Sequence, residues 1–149
     1  MIRVQIDDFD PGAELSRIGA GRGDIGGIAS FIGLVRGGGE GVQAMTLEHY
    51  AGMTERQLAA VVDEAKRRWA VLDIIIIHRY GRLLPGERIV FVAVAAAHRG
   101  DAFATCEFLI DWLKTRAPFW KLEESAKGSD WVAARAEDDV RAARWEEFP

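Results

Sequence analysis

Five basic side chains are the residues of this 149-residue sequence best suited to chemistry: Arg36, His98, Arg99, Lys114 and Lys121. They fall in three stretches, each at the end of an apolar run. Arg36 closes Phe31-Ile32-Gly33-Leu34-Val35 ahead of a glycine loop. His98-Arg99 stands where a strand pattern ends and a helical one begins. Lys114 and Lys121 flank a proline-broken turn, Thr115-Arg116-Ala117-Pro118-Phe119-Trp120. A helix start offers unpaired N–H groups and the positive end of a dipole, which suits an anion. An adjacent His-Arg pair would strengthen such a site, because arginine can grip phosphate bidentately. A lysine crowded by other cations or desolvated has a lowered pKa and can act as acid, base or nucleophile. Taken singly, each residue also has a plain structural explanation: Arg36 as a solvated strand end, His98 and Arg99 as flanks of a helix start, Lys114 as a partner for a helix C-terminus.

The elements that must position these residues can be traced along the chain. Ile2 to Ile6 reads as a short strand. Asp10 then offers an N-cap and Pro11 a first helical position for a helix through about Ile18. Gly19 to Gly27 is a glycine-rich loop, followed by strands over Ile28 to Val35 and Val42 to Tyr50, with the loop Gly37 to Gly41 between them. Leu58, Val61, Val62, Ala65 and Trp69 repeat with helical period. The β-branched run Ile74 to Ile77 predicts a strand buried on both faces, and Ile89 to Ala97 its hairpin partner beyond the turn Leu84-Pro85-Gly86-Glu87. A second main helix spans Asp101 to Thr115, with Ala102, Phe103, Cys106, Leu109, Ile110 and Leu113 on one stripe. Pro118 stops it. Phe119 to Glu124 and Asp130 to Ala134 predict two strands around Lys127-Gly128, and Glu137 to Pro149 a charged, partly exposed helix. Strands and helices mix without strict alternation, so the expected class is α+β in a single domain over residues 1–149.

Composition narrows the function. About half the residues are hydrophobic, enough for one domain with a core. Nineteen Lys and Arg against 23 Asp and Glu give a net charge of −4, so there is no general attraction to nucleic acid or an anionic membrane. Any bound anion must be held by a local cation cluster. The first ten residues do not read as a signal peptide, and the apolar runs are too short to span a bilayer, so the expected compartment is the cytosol. The single cysteine, Cys106, excludes an intrachain disulfide and a cysteine-built metal site; its place on an apolar helical stripe makes it an inert core thiol. Gly21, Gly23 and Gly26 spell a dinucleotide-binding pattern, but a helix precedes it and a strand follows, the reverse of the required order. Arg22-Gly23-Asp24 has no use as an adhesion motif in a cytosolic chain. The Gly37 to Gly41 loop lacks the Lys-Ser/Thr of a phosphate-binding loop and reads as a mobile lid or a simple connection.

The run His98-Arg99…Ala102-Phe103, then Leu113-Lys114-Thr115-Arg116-Ala117-Pro118-Phe119-Trp120-Lys121-Leu122-Glu123, resembles the signature of the MoaE family, the catalytic subunits of molybdopterin synthase. So do Phe31-x-Gly33-x-Val35-Arg36, Leu47-Glu48-His49-Tyr50 and His78-Arg79-x-Gly81-x-Leu83-x-x-Gly86. These matches occur in the family's order over roughly Gly27 to Trp145. The resemblance implies an α/β-hammerhead fold and conversion of cyclic pyranopterin monophosphate to molybdopterin by insertion of two dithiolene sulfurs. Each sulfur would arrive as a thiocarboxylate on the C-terminal glycine of a small ubiquitin-like carrier subunit, MoaD-like. Two copies of this chain would form a central homodimer with a carrier at each end, a heterotetramer. By the same resemblance Lys114 is the main catalytic lysine and Lys121 the second. Arg36, His98, Arg99, Leu122 and Glu123 form the substrate-binding set, and no metal or cofactor is called for.

A carrier-borne sulfur removes the need for a catalytic cysteine. Donor tail and cyclic phosphate are both anions, which fits a cation cluster. His49, His78 and Arg79 read as structural or as parts of a subunit interface. Phe108 and Trp112 lie off the main stripe of the second helix, as subunit contacts or a second packing layer. Two rival classes stay open: a non-enzymatic dimeric module that binds an anionic ligand or partner tail, and a nucleotide-binding phosphotransferase, against which the missing P-loop and missing paired acidic ligands count.

Overall fold

The computed structural model describes residues 1–38, 41–132 and 135–146. Among these residues the chain forms two four-stranded sheets and four α-helices, the mixed α+β class expected. The first sheet has the order β1 (Ile2–Gln5), β4 (Val71–Arg79), β6 (Arg88–Ala96), β2 (Gly27–Leu34), with β1 parallel to β4 and the other pairs antiparallel. β4 and β6 are central strands, and each is covered on both faces. On one face Ile74, Ile76, Val90, Val92 and Val94 pack under α2 (Met53–Arg68) and α3 (Arg99–Thr115), through Leu58, Val61, Ala65, Ala102, Cys106, Leu109 and Leu113. On the other, Ile75, Ile77, Phe91, Ala93 and Ala95 pack under Phe9 and Ile18. This two-sided burial is why the strand is a continuous β-branched run rather than an alternating one. Leu58 and Leu109 are fully buried, each worth roughly 1.5–3 kcal/mol of transfer free energy.

The helix ends follow local chemistry. α1 (Pro11–Ile18) starts where the Asp10 side chain accepts from the Ala13 amide at 3.2 Å, with Pro11 in the first helical position. At the start of α2, the Glu55 carboxylate reaches back to the Gly52 amide at 2.6 Å. α1 is short and sits over β4 and β6. It leaves Ile32 and Leu34 of the edge strand β2 exposed.

The second sheet, all antiparallel, has the order β5 (Gly81–Leu83), β3 (Ala44–His49), β7 (Phe119–Ser125), β8 (Gly128–Val132). β5 lies inside the connection of the β4–β6 hairpin. The expected hairpin is therefore present, but its link crosses to the other sheet, entering through Gly81 and turning back at Gly86, both with positive φ. Val35, Leu47 and Leu83 form the small core that joins the sheets.

Several sequence-based expectations change. The strand over Ile74 to Ile77 is nine residues long, because Val71, Asp73 and His78 continue its pairing with β6 and Arg79 pairs with Gln5 of β1. Phe103 was expected on the buried stripe of α3 but is 64% exposed, since it lies about 100° around the helix from buried Ala102. Phe108 is buried in the main core beside Trp69 and Trp145, so it belongs to a packing layer. The tail forms α4 (Ala136–Ala143) and a short 3₁₀ turn, Arg144–Glu146, with no buried residue. Ala133 and Ala134, at the end of the expected last strand, lie outside the described residues. So do Gly39 and Glu40 of the glycine loop and the last three residues of the tail. Among the described residues no helix is long and apolar enough to cross a membrane.

Candidate active site

Lys114 and Lys121 share one recess. Its wall takes one to three residues from each of five elements: Gly33 of β2, His78 of β4, Ile89 and Val90 of β6, Ile110, Leu113 and Lys114 of α3, and Lys121 of β7. α3 ends at Thr115, whose hydroxyl donates to the Asp111 carbonyl at 2.8 Å, and Pro118 turns the chain straight into β7. This fold-back brings the two lysines together. Phe119, Lys121 and Glu123 face one side of β7, by the period of a strand. Gly33 is required by the close approach of β6: a Cβ there would stand 2.7 Å from Val90 Cγ1. The recess is small, about 20 Å3, the scale of a single water rather than a pterin. A larger substrate must therefore lie across its mouth, where Lys114 is exposed.

The electrostatics are unusual for two lysines. Burial, and next the like charge of Lys114, push the Lys121 ammonium below its ordinary pKa; Asp138 and Glu123 oppose this, and Arg135 adds to it. Burial pushes His78 down to about 3, with Lys121, Lys114 and His49 acting in the same direction against the hydrogen bond to the Arg79 carbonyl. The recess thus combines a neutral imidazole with an ammonium group that gives up its proton more readily than usual.

The five cations do not converge within one chain. Arg36 is exposed and lies three residues beyond Gly33, the β2 residue that lines the recess. His98 is the N-cap of α3 and Arg99 its first residue, both exposed beside Gly26 and Gly27 at the opposite end of β2. Fifteen residues of helix separate Arg99 from Lys114, about 22 Å along the axis. Glu123 shares the Lys121 face of β7. Leu122 points to the other face, with Trp120 and Trp131. Arg79 is structural: its guanidinium donates to the carbonyls of Ile6 and Arg88 at 3.0 and 2.9 Å. His49 is held at 3.0 Å by the Thr54 hydroxyl. Cys106 is buried, its thiol pushed up to about 11, and plays no part.

Three residues near the lysines escaped the sequence reading of the site: His78, Arg135 and Asp138. Only His78 left a trace, as a polar residue closing an apolar strand with the same parity as Ile74 and Ile76, which face α3.

Comparison with known proteins assigns the family. A family profile described as "MoaE protein" matches residues 4–116, about three quarters of the chain. The chain belongs to the MoaE family. A curated relative from Ralstonia nicotianae, named molybdopterin synthase catalytic subunit, is 56% identical over 146 residues, covering 97% of this chain and 83% of the relative. A solved MoaE protein from Burkholderia ambifaria is 53% identical with TM-score 0.84, covering 98% of this chain and 97% of that one. The crystal structure of molybdopterin synthase from Staphylococcus aureus matches at 30% identity and TM-score 0.78, covering 88% and 96%. The family profile ends between the two lysines, whereas the Ralstonia and Burkholderia alignments cover nearly the whole chain.

Proposed function

We propose that this chain is the catalytic subunit of a molybdopterin synthase. It converts cyclic pyranopterin monophosphate to molybdopterin with sulfur taken from the thiocarboxylated C-terminal glycine of a small ubiquitin-like carrier. The observation that carries the reading is the shared recess of Lys114 and Lys121. The thiocarboxylate is an anion, and attack on or by it develops negative charge that an exposed ammonium at the mouth, Lys114, can stabilise. Lys121, with its lowered pKa, is suited to hold or move a proton beside it. Arg36, three residues beyond Gly33, would grip the phosphate.

His98 and Arg99 enter the site through a second copy. β2 is an edge strand that exposes Ile28, Phe31, Ile32 and Leu34. An isologous pairing of two antiparallel β2 strands would bury these residues and set the Gly27 end of one copy against the Leu34 end of the other. His98 and Arg99 of one protomer would then stand by Arg36, Lys114 and Lys121 of its partner, a second cation pair for the phosphate and pterin. A cytoplasmic location belongs to this proposal; a single, free, buried cysteine and bacterial biosynthetic relatives fit it.

The test is to mix the purified chain with thiocarboxylated carrier and cyclic pyranopterin monophosphate and to assay dithiolene product. Product formation is expected. A complex that forms with carrier but yields no dithiolene would make the chain a binding module and overturn the proposal.

A further inference from the structure

His78 is the one polar member of the recess wall to which neither the resemblance nor the proposed reaction gives a role. It is 5% exposed and lies on the α3-facing side of β4. Its ring is fixed twice. Nδ1 lies 2.8 Å from the Arg79 carbonyl oxygen, which can only accept, so Nδ1 carries the proton and donates. Phe119 stacks on the ring with centroids 3.8 Å apart and planes at 16°. Phe119 lies two residues before Lys121 on the same face of β7, so the stack ties the imidazole to the strand that carries the lysine. With the proton on Nδ1, Nε2 keeps a lone pair. Two ammonium groups, Lys114 and Lys121, line the same recess, which has room for one bridging water.

We propose that His78 is a positioning residue for the two lysines, its unprotonated Nε2 accepting a hydrogen bond from an ammonium group across the recess, directly or through one water. This inference rests on the reading of Lys114 and Lys121 as the reacting pair. The imidazole does the work of a carboxylate without its charge. It orients an ammonium and supports its protonated form, but forms no ion pair that would compete with an anionic donor tail. Lys121 therefore keeps its proton until the chemistry calls for it, in spite of its burial and the repulsion from Lys114. The other charged groups around it are Glu123 on its own strand and Arg135 and Asp138 from the start of α4; His49 faces His78 from β3.

Two measurements on the free protein test this without turnover. Nitrogen-15 NMR of the imidazole should show the Nδ1–H tautomer with unprotonated Nε2 from pH 5 to pH 8. Competitive acetylation, followed by mass spectrometry, should place the midpoint of Lys121 reactivity at lower pH in His78→Phe than in the wild type. Phenylalanine keeps the stack but offers no acceptor, and losing a hydrogen bond to the charged form lowers a pKa. His78→Gln, which restores an acceptor, should return the midpoint toward the wild type. In the assembled complex His78→Phe should lose about tenfold in kcat at unchanged KM. An Nε2–H tautomer, or a Lys121 midpoint equal in wild type and His78→Phe, would overturn the proposal. If the wild type made no dithiolene product, the functional reading would fall, while the NMR and acetylation results would still decide what His78 does to the lysines.

Discussion

The burial of His78 should be visible in the acid limb of the protein's stability. Unfolded, its imidazole titrates at 6.5; folded, it titrates at about 3. Below pH 6.5 the unfolded chain takes up a proton that the native chain refuses, so stability falls as pH falls, until the native imidazole also protonates near pH 3. Each pH unit in that window removes about 1.4 kcal/mol, so at pH 5 the loss is about 2 kcal/mol relative to pH 7. The carboxylates held low by arginine partners, Asp8 by Arg88, Asp24 by Arg22 and Glu64 by Arg68 and Arg67, act in a different range. Their stabilisation is complete above the ordinary carboxylate pKa and is lost only as the solution becomes more acid than that. The interval from pH 7 to pH 5 therefore isolates the histidine. Urea unfolding at these two pH values, on the wild type and on His78→Gln, reads the effect as a difference of differences. That cancels whatever the substitution costs in packing. The wild type should lose about 2 kcal/mol more than the variant between pH 7 and pH 5. Equal losses in the two proteins would show that the buried imidazole takes up its proton as easily as a free one.

Other outcomes follow from the same geometry. Asp111 is buried and accepts from Arg144 Nη2 at 2.8 Å and Trp145 Nε1 at 2.7 Å, so Asp111→Ala should cost about 2 kcal/mol in thermal unfolding and open α4 to proteolysis. Gly33→Ala drives a Cβ against Val90 Cγ1 in the recess wall; a loss of about 1–3 kcal/mol by denaturant unfolding is expected, with reduced turnover in the assembled complex. If His98 and Arg99 serve the partner's lysines, mixing Arg99→Ala with Lys121→Ala copies should recover roughly a quarter of wild-type turnover, since half the dimers are mixed and each holds one intact site. No recovery would place all the cations of a site in one chain.

Much of this arrangement was legible in the sequence because the strong patterns are local. The helical period of Leu58 to Ala65, the doubly buried run at Ile74 and the proline break between Lys114 and Lys121 each announce themselves within a dozen residues. The wrong order of elements around Gly21 to Gly26 likewise disposed of a dinucleotide site. What needed coordinates was pairing between distant segments. Nothing local says that Gly81 to Leu83, inside a hairpin connection, joins a different sheet, because a three-residue strand is defined by its partner. The failure of five cations to converge was in principle readable. A helix predicted from Asp101 to Thr115 already sets His98 and Lys114 at opposite ends, and in the proposed dimer it is the second copy that would bring them back together. Arg135 and Asp138 could not be found, because charged residues at the start of an exposed helix look the same whether or not a lysine lies beneath them.

A single-turnover measurement tests most directly whether the two lysines act as a pair. Wild type, Lys114→Ala and Lys121→Ala would each be loaded with thiocarboxylated carrier and cyclic pyranopterin monophosphate, and dithiolene product followed in time. Arg67→Ala, on the far side of α2, serves as control. Both lysine variants should fall by about a hundredfold or more with unchanged melting temperature, and the control should match the wild type. Undiminished sulfur transfer in either lysine variant would show that the two do not act as a pair.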